Sequence, residues 1–259
     1  MHRLTYLNDN LKKGRLIRWP DQCFPLNVYI APCTFYSMSD ADRFAYMGMA
    51  REALRIWESV GGGKFSFNIV NNLNDSQMNI ELRRVDRKSL GNCTFRFDND
   101  SRLYSAEVSI GISDGILHQK YMDENEVFHT ILHEIGHALG LGHSNNTEDI
   151  MYTPHQYGVT NLSKRDIASV RWLYTLPYGT TVKGLNEAYS LEYKNLDDII
   201  MHLVKERTES GFKKTMKTIK IPQRNLEEEQ DKLAEIKKFH MSIQNVKLPK
   251  EIADKFKKR

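Results

Sequence analysis

The chain has 259 residues, 40% of them hydrophobic and 27% charged, a composition that suits a globular protein and excludes collagen-like or low-complexity chains. No apolar run approaches the ~20 residues needed to cross a bilayer, so no transmembrane segment is expected, and a net charge of +4 gives no reason to expect nucleic acid. The basic excess lies in residues 178–259, where 18 Lys and Arg stand against 13 Asp and Glu, while residues 1–177 carry 19 against 20.

The opening MHRLTYLNDNLKKGRL lacks the ~7–15-residue apolar stretch of a secretory signal. This start alone suggests a cytoplasmic chain, and a leader outside this sequence would make it a secreted one, so the compartment is left open. In PLNVYIAP, alternation of Leu26, Val28 and Ile30 between two prolines predicts the first strand. A helix follows from Ser39, with Phe44, Met47, Ala50, Leu54 and Trp57 on its buried face and the glycines 61–63 as its stop. KFSFNIV, MNIEL and AEVSIGI alternate as three further strands, and polar residues 86–102 read as a surface loop. Three cysteines, Cys23, Cys33 and Cys93, give no disulfide framework.

A second helix is expected from Asp123 or Asn125 to Gly140, and a third behind a Ser163 cap, with Ile167, Val170, Leu173 and Tyr174 at helical spacing. The reading divides the chain into a domain at 1–177 and a basic helical extension at 178–259. In the extension, Leu196, Ile199, Ile200, Leu203 and Val204 form one amphipathic stripe, and Leu233, Ile236, Phe239 and Ile243 another, with Gly211 and Pro222 as breaks. Such stripes pack on the domain, on a second copy, or on a partner.

The chemistry concentrates in HEIGHALGLGHS, His133 to Ser144. At ~100° per residue, His133 and His137 share one helix face, but His143 meets the same point only if the helix stops. Gly140 permits that stop, because glycine takes the left-handed conformation that ends helices. Three neutral imidazoles leave a fourth position open on one Zn²⁺, the arrangement of a catalytic site, where a water's pKa falls to ~7. Glu134, beside the first ligand, is the candidate general base and acid.

HEIGHALGLGH with Met151 in DIMYTP resembles the metzincin metalloproteases. Ser144 after the third histidine, with RWP, PLNVYI, MY and LSKRDI, resembles their matrixin branch, over roughly residues 15–177. The resemblance implies an α+β, zincin-like fold: a twisted mixed sheet with an antiparallel edge strand and three helices, holding one catalytic zinc. It implies a zinc-dependent endopeptidase acting on protein or peptide substrates, with His133, His137 and His143 as ligands, Glu134 as catalytic residue and Met151 in the Met-turn. It suggests SAEVSIGIS as the edge strand, with Ala106 and Val108 touching substrate, and Pro154 to Tyr157 as the wall of the specificity pocket.

Departures from the family pattern are also legible. No histidine lies between Asp86 and Ile112, so a structural zinc is not expected, and calcium rests only on Asp98 and Asp100. Of the paired acids that open the family's last helix, only Asp166 has a match. His129 and His155 read as packed and loop residues rather than ligands, and Cys23 as an idle thiol. The alternative to a protease is a catalytically inactive zinc-binding module whose C-terminal helices recruit a protein partner.

Overall fold

A computed structural model of the chain describes residues 3–33, 39–84, 90–112 and 124–209. Five strands form one sheet: β1 Leu26–Ile30, β2 Phe67–Val70, β3 Met78–Arg84, β4 Gly91–Phe97 and β5 Leu103–Ile112. Their order is β2-β1-β3-β5-β4. All neighbours are parallel except β4, which runs antiparallel to β5. Five helices accompany the sheet: α1 Asp40–Val60, α2 Glu124–Ala138, α3 Lys164–Leu173, α4 Val182–Tyr189 and α5 Leu196–Glu209. The fold is therefore α+β with a mixed sheet and an antiparallel edge, as the resemblance implied.

Alternation explains which faces are covered. Leu26, Val28 and Ile30 of β1, Met78, Ile80 and Leu82 of β3, and Ala106, Val108 and Ile110 of β5 are all buried. They form the surface on which the helices pack. Trp57 of α1 is fully enclosed, and its indole donates to the Leu132 carbonyl of α2 at 3.0 Å, which ties the two long helices together. Burial of so large a ring contributes several kcal/mol, ~25 cal/mol per Å² of apolar surface removed from water. Phe44 departs from the expected helix face and is 73% exposed, because the core-facing stripe of α1 is carried by Ala50, Ala53, Leu54 and Trp57 further along.

The expected surface loop at 86–102 contains a strand. Within it, Cys93 and Phe95 are half-buried while Asn92, Thr94 and Arg96 face solvent. A turn at Asp98–Arg102 returns the chain into β5, and Asp98 holds it by accepting from the backbone of Asp100 and Arg102 at 2.9 and 3.0 Å. That strand corrects the assignment of the edge. β5 pairs with β3 on one side and β4 on the other, so its backbone groups are spent within the sheet. The antiparallel edge strand is β4.

The compact unit runs to Glu206, so the boundary expected at 177 falls inside it. Leu196, Ile199 and Ile200 are fully buried in the core of that unit. The buried Asp197 accepts from Thr5 Oγ1 at 2.5 Å and from the backbone of Leu7 and Asn8 at 2.8 and 3.3 Å, which fastens α5 to the amino-terminal segment. The first stripe of the extension thus packs on the domain. The second stripe, Gly211, Pro222 and Asp123 lie outside the described residues. Among the described residues no helix is long and apolar enough to cross a membrane, and none of the three cysteines forms a disulfide.

Candidate metal centre

α2 carries His133, Glu134 and His137, and its end is built by side chains from elsewhere in the chain. The last turn of any helix leaves carbonyls without partners. Here the Trp19 indole donates to Ala138 O at 2.8 Å and the Tyr174 hydroxyl to Leu139 O at 2.9 Å. Leu141 N then reaches back to Gly136 O at 3.0 Å and Gly140 N to His137 O at 2.9 Å. This pair of bonds is a Schellman termination, with Gly140 in the left-handed region at φ 101°. A side chain at Gly140 is barred a second way, since its Cβ would lie 2.7 Å from Ile17 O. The chain turns back there, and His143 faces the helix.

One ring nitrogen from each of His133, His137 and His143 lies within 4.8 Å of the others. His137 Nε2 and His143 Nε2 are 3.1 Å apart, close to the ~3.3 Å that two ligands at ~2.05 Å subtend around a tetrahedral zinc. The other nitrogens set the tautomers. His133 Nδ1 lies 2.8 Å from Ile150 O and His137 Nδ1 2.8 Å from Leu141 O. A proton held on each Nδ1 leaves the Nε2 lone pair free for an ion. Burial, with repulsion from His137, pushes His133 down to about 3, and burial pushes His137 down to about 4. His143 is lowered as well, by burial and then by the charge of Lys12. All three rings are neutral at neutral pH, the state in which imidazole binds a metal, so the donor set fits zinc.

Beneath the helix, Met151 is fully buried and its side chain fills the space that a side chain on Gly136 would need. Two buried acids that the zinc motif does not reveal hold the segment around it. Asp149 accepts from the hydroxyls of Ser144 and Ser163 and pairs with Arg165 at 3.1 Å. Asp166 accepts from Ile150 N and Ser163 N, both at 2.8 Å, and from the Tyr6 hydroxyl at 2.7 Å. Because Ile150 O holds His133, Asp166 supports a ligand through one intervening peptide. The Asp166 match to the family pattern was visible in the sequence; the use of Asp149 was not.

Glu134 is 7% exposed, and burial raises its carboxyl to about 7. It lies against β4 so closely that a Cβ on Gly91 would fall 2.6 Å from Glu134 Oε1. A cleft of about 550 Å³ opens here, with Gly91, Cys93 and Phe95 of β4 on one wall. His133, His137, His143 and Glu134 form its base, and Asn10 and Lys12 lie on another wall. Ala106 and Val108, expected to touch substrate, are each 1% exposed and belong to the core. Their strand is interior, which corrects that assignment. The alternation of Cys93, Phe95 and Phe97 before a DNDS turn is the signal that identifies the true edge.

Pro154 and Tyr157 are exposed, Tyr157 at 76%. Between them His155 contacts Glu126 and meets the His129 ring edge-on at 4.0 Å. His129 is buried, with Nδ1 2.6 Å from Val159 O, so it packs rather than joining the ligand set. Asp98 and Asp100 pair with Arg102 at 2.6 and 2.9 Å, an arrangement that lends calcium no support.

Comparison with known proteins matches residues 33–175 to the matrixin model, more than half of the chain. A probable matrix metalloproteinase 095L of Invertebrate iridescent virus 3 is 42% identical over 67 residues, 25% of this chain and 18% of that protein. A putative matrix metalloproteinase of Trichoplusia ni ascovirus 2c is 26% identical over 150 residues, 49% of this chain and 28% of the relative. Macrophage metalloelastase of Rattus norvegicus is 43% identical over 61 residues, 22% and 13% of the two chains. The matched segments span less than a third of the length of each of these relatives.

Proposed function

The chain belongs to the matrixin family, and from that premise we propose that it is a zinc-dependent endopeptidase. The observation that carries the reading is the convergence of three neutral imidazoles beside a buried carboxylate, in a cleft walled by an edge strand. A bound zinc ion supplies Lewis acidity at the scissile carbonyl. His133, His137 and His143 would hold that ion, with Nδ1 of the first two fixed by the carbonyls of Ile150 and Leu141.

An extended peptide pairs along the outer edge of β4, where no described strand pairs with it and its backbone groups provide main-chain hydrogen bonds. That pairing lays a peptide bond across the base of the cleft, over Glu134. Glu134 takes the proton of the attacking water and passes it to the departing amine. Met151, packed on Gly136, keeps the helix and the third ligand's loop at a fixed spacing.

Glu134→Gln tests the reading. It removes the base and retains the shape, so cleavage of a quenched peptide library should fall at least ~10³-fold. Zinc content should stay at one ion per chain. Residual cleavage within tenfold of the parent, at full zinc loading, would refute Glu134 as the base. Absence of cleavage by the zinc-loaded parent on every peptide would refute the protease.

A further inference from the structure

We propose that the amino-terminal segment forms a subsite for an acidic substrate side chain, with Lys12 as the recognition group on the His143 side of the cleft. The proposal rests on the endopeptidase reading and concerns selectivity within it.

The segment is fixed in place. Asp197 clamps Thr5, Leu7 and Asn8 from α5, and Asn8 in turn accepts from Leu196 N at 3.0 Å. Lys12 and Arg15 exchange two backbone hydrogen bonds of 2.9 and 3.0 Å around a tight turn, with Lys13 and Gly14 at φ 52° and 74°. Between clamp and turn, Asn10 is 4% exposed, and its carboxamide occupies the space that a side chain on Gly142 would fill. Only glycine beside the third histidine allows so close an approach. Neither polar atom of that carboxamide has a protein partner, a cost of ~1–3 kcal/mol that packing alone does not demand.

Lys12 follows from this anchor. It lines the cleft with His137 and His143. Asp9 lines the same cleft without pairing with Lys12. Among the described residues Lys12 has no acid within ion-pair distance. A cation that no described acid pairs with, at the mouth of a cleft whose base accepts a divalent ion, concentrates positive potential and draws in anions. The anion that an extended peptide offers at that point is the carboxylate of Asp or Glu, with Lys12 as its donor. A Lys or Arg there meets like charge and is rejected.

Binding provides the test, on zinc-loaded Glu134→Gln protein with the full chain. The probes are alanine-rich fluorescent peptides carrying one Glu or one Lys at successive positions. At one position the Glu peptide should bind about fivefold more tightly than the Lys peptide, the scale of one partly exposed charge pair. That preference should shrink below about twofold as salt rises to about 0.5 M. Adding Lys12→Glu should invert it while zinc content is retained. Equal binding of Glu and Lys peptides at every position, a ratio that Lys12→Glu leaves within twofold, or no peptide binding at all would overturn the proposal. If the charge-swap result holds while the parent cleaves nothing, the subsite stands and the endopeptidase reading falls.

Discussion

The ligand set divides into a helical half and a loop half, and the two are held by different means. His133 and His137 are half-buried on α2, each with Nδ1 on a backbone carbonyl at 2.8 Å. His143 is exposed, and among the described residues its Nδ1 meets no such acceptor. Its position depends on the turn at Gly140, on the bond from Ser144 N to Met151 O at 2.8 Å, and on Asn10 against Gly142. The helical half is therefore spaced by α2 itself and fixed by carbonyls close to it, Ile150 O and Leu141 O. The loop half is set by distant parts of the chain, the amino-terminal segment and, through Asp197, α5. The difference places tuning of affinity and selectivity on the loop side, where the scaffold is least self-contained.

The largest effect on this division is expected from the buried acid behind the helical half. Asp166→Ala leaves Ile150 N, Ser163 N and the Tyr6 hydroxyl without their acceptor, and should lower the unfolding free energy by about 3–5 kcal/mol. Denaturant titration checks this, and a loss under 1 kcal/mol would mean that the relay to His133 is not structural. Gly140→Ala strikes the loop half. The left-handed backbone and the contact with Ile17 O should cost about 2 kcal/mol. Zinc affinity should also drop while helix content is preserved, and an unaltered chelator competition curve would show that the turn does not set His143.

The smallest effect, a slope, reads the two halves by pH. His133 and His137 sit near 3 and 4 in the fold against about 6.5 when unfolded. Between those limits the unfolded chain binds more protons, so their contribution to the metal-free protein's stability is lost as pH falls from about 6.5 toward 4. Glu134 works in the opposite sense. Its folded value near 7 lies above the unfolded one, so the folded chain binds the extra proton and stability declines as pH rises from about 4.5 to 7. Glu134→Gln removes that opposition. The stability of the metal-free variant should rise more steeply than the parent's between pH 4.5 and 6.5, and equal slopes in denaturation series would contradict the assignment.

Much of the site is legible in residues 133–151 because its information is short-range. The four-residue spacing of His133 and His137 and the glycine at 140 are enough to require a helix, a stop and a return. The edge strand was harder to see. GNCTFRF carries the period of two, but Arg, Asn and Thr on its outer face resemble a loop, whereas SAEVSIGI advertises a strand more openly. SAEVSIGI is apolar on one face only, as β4 is, so the period of two does not tell which of the strands has neighbours on both sides. The polar outer face of β4 is what protects an exposed edge.

The sequence by itself determined the metal-binding helix, its termination at Gly140 and the nearness of Glu134 to the ligands, since each follows from rotation per residue and from one glycine's allowed conformations. Only the tertiary structure decided which strand borders the cleft, and that Asn10, Lys12 and Asp197 belong to the same neighbourhood as His143. Periodicity reports the face a residue presents, not the element that lies against it. Contacts across more than 100 residues, such as Leu7 N to Asp197, are fixed by how the whole core closes.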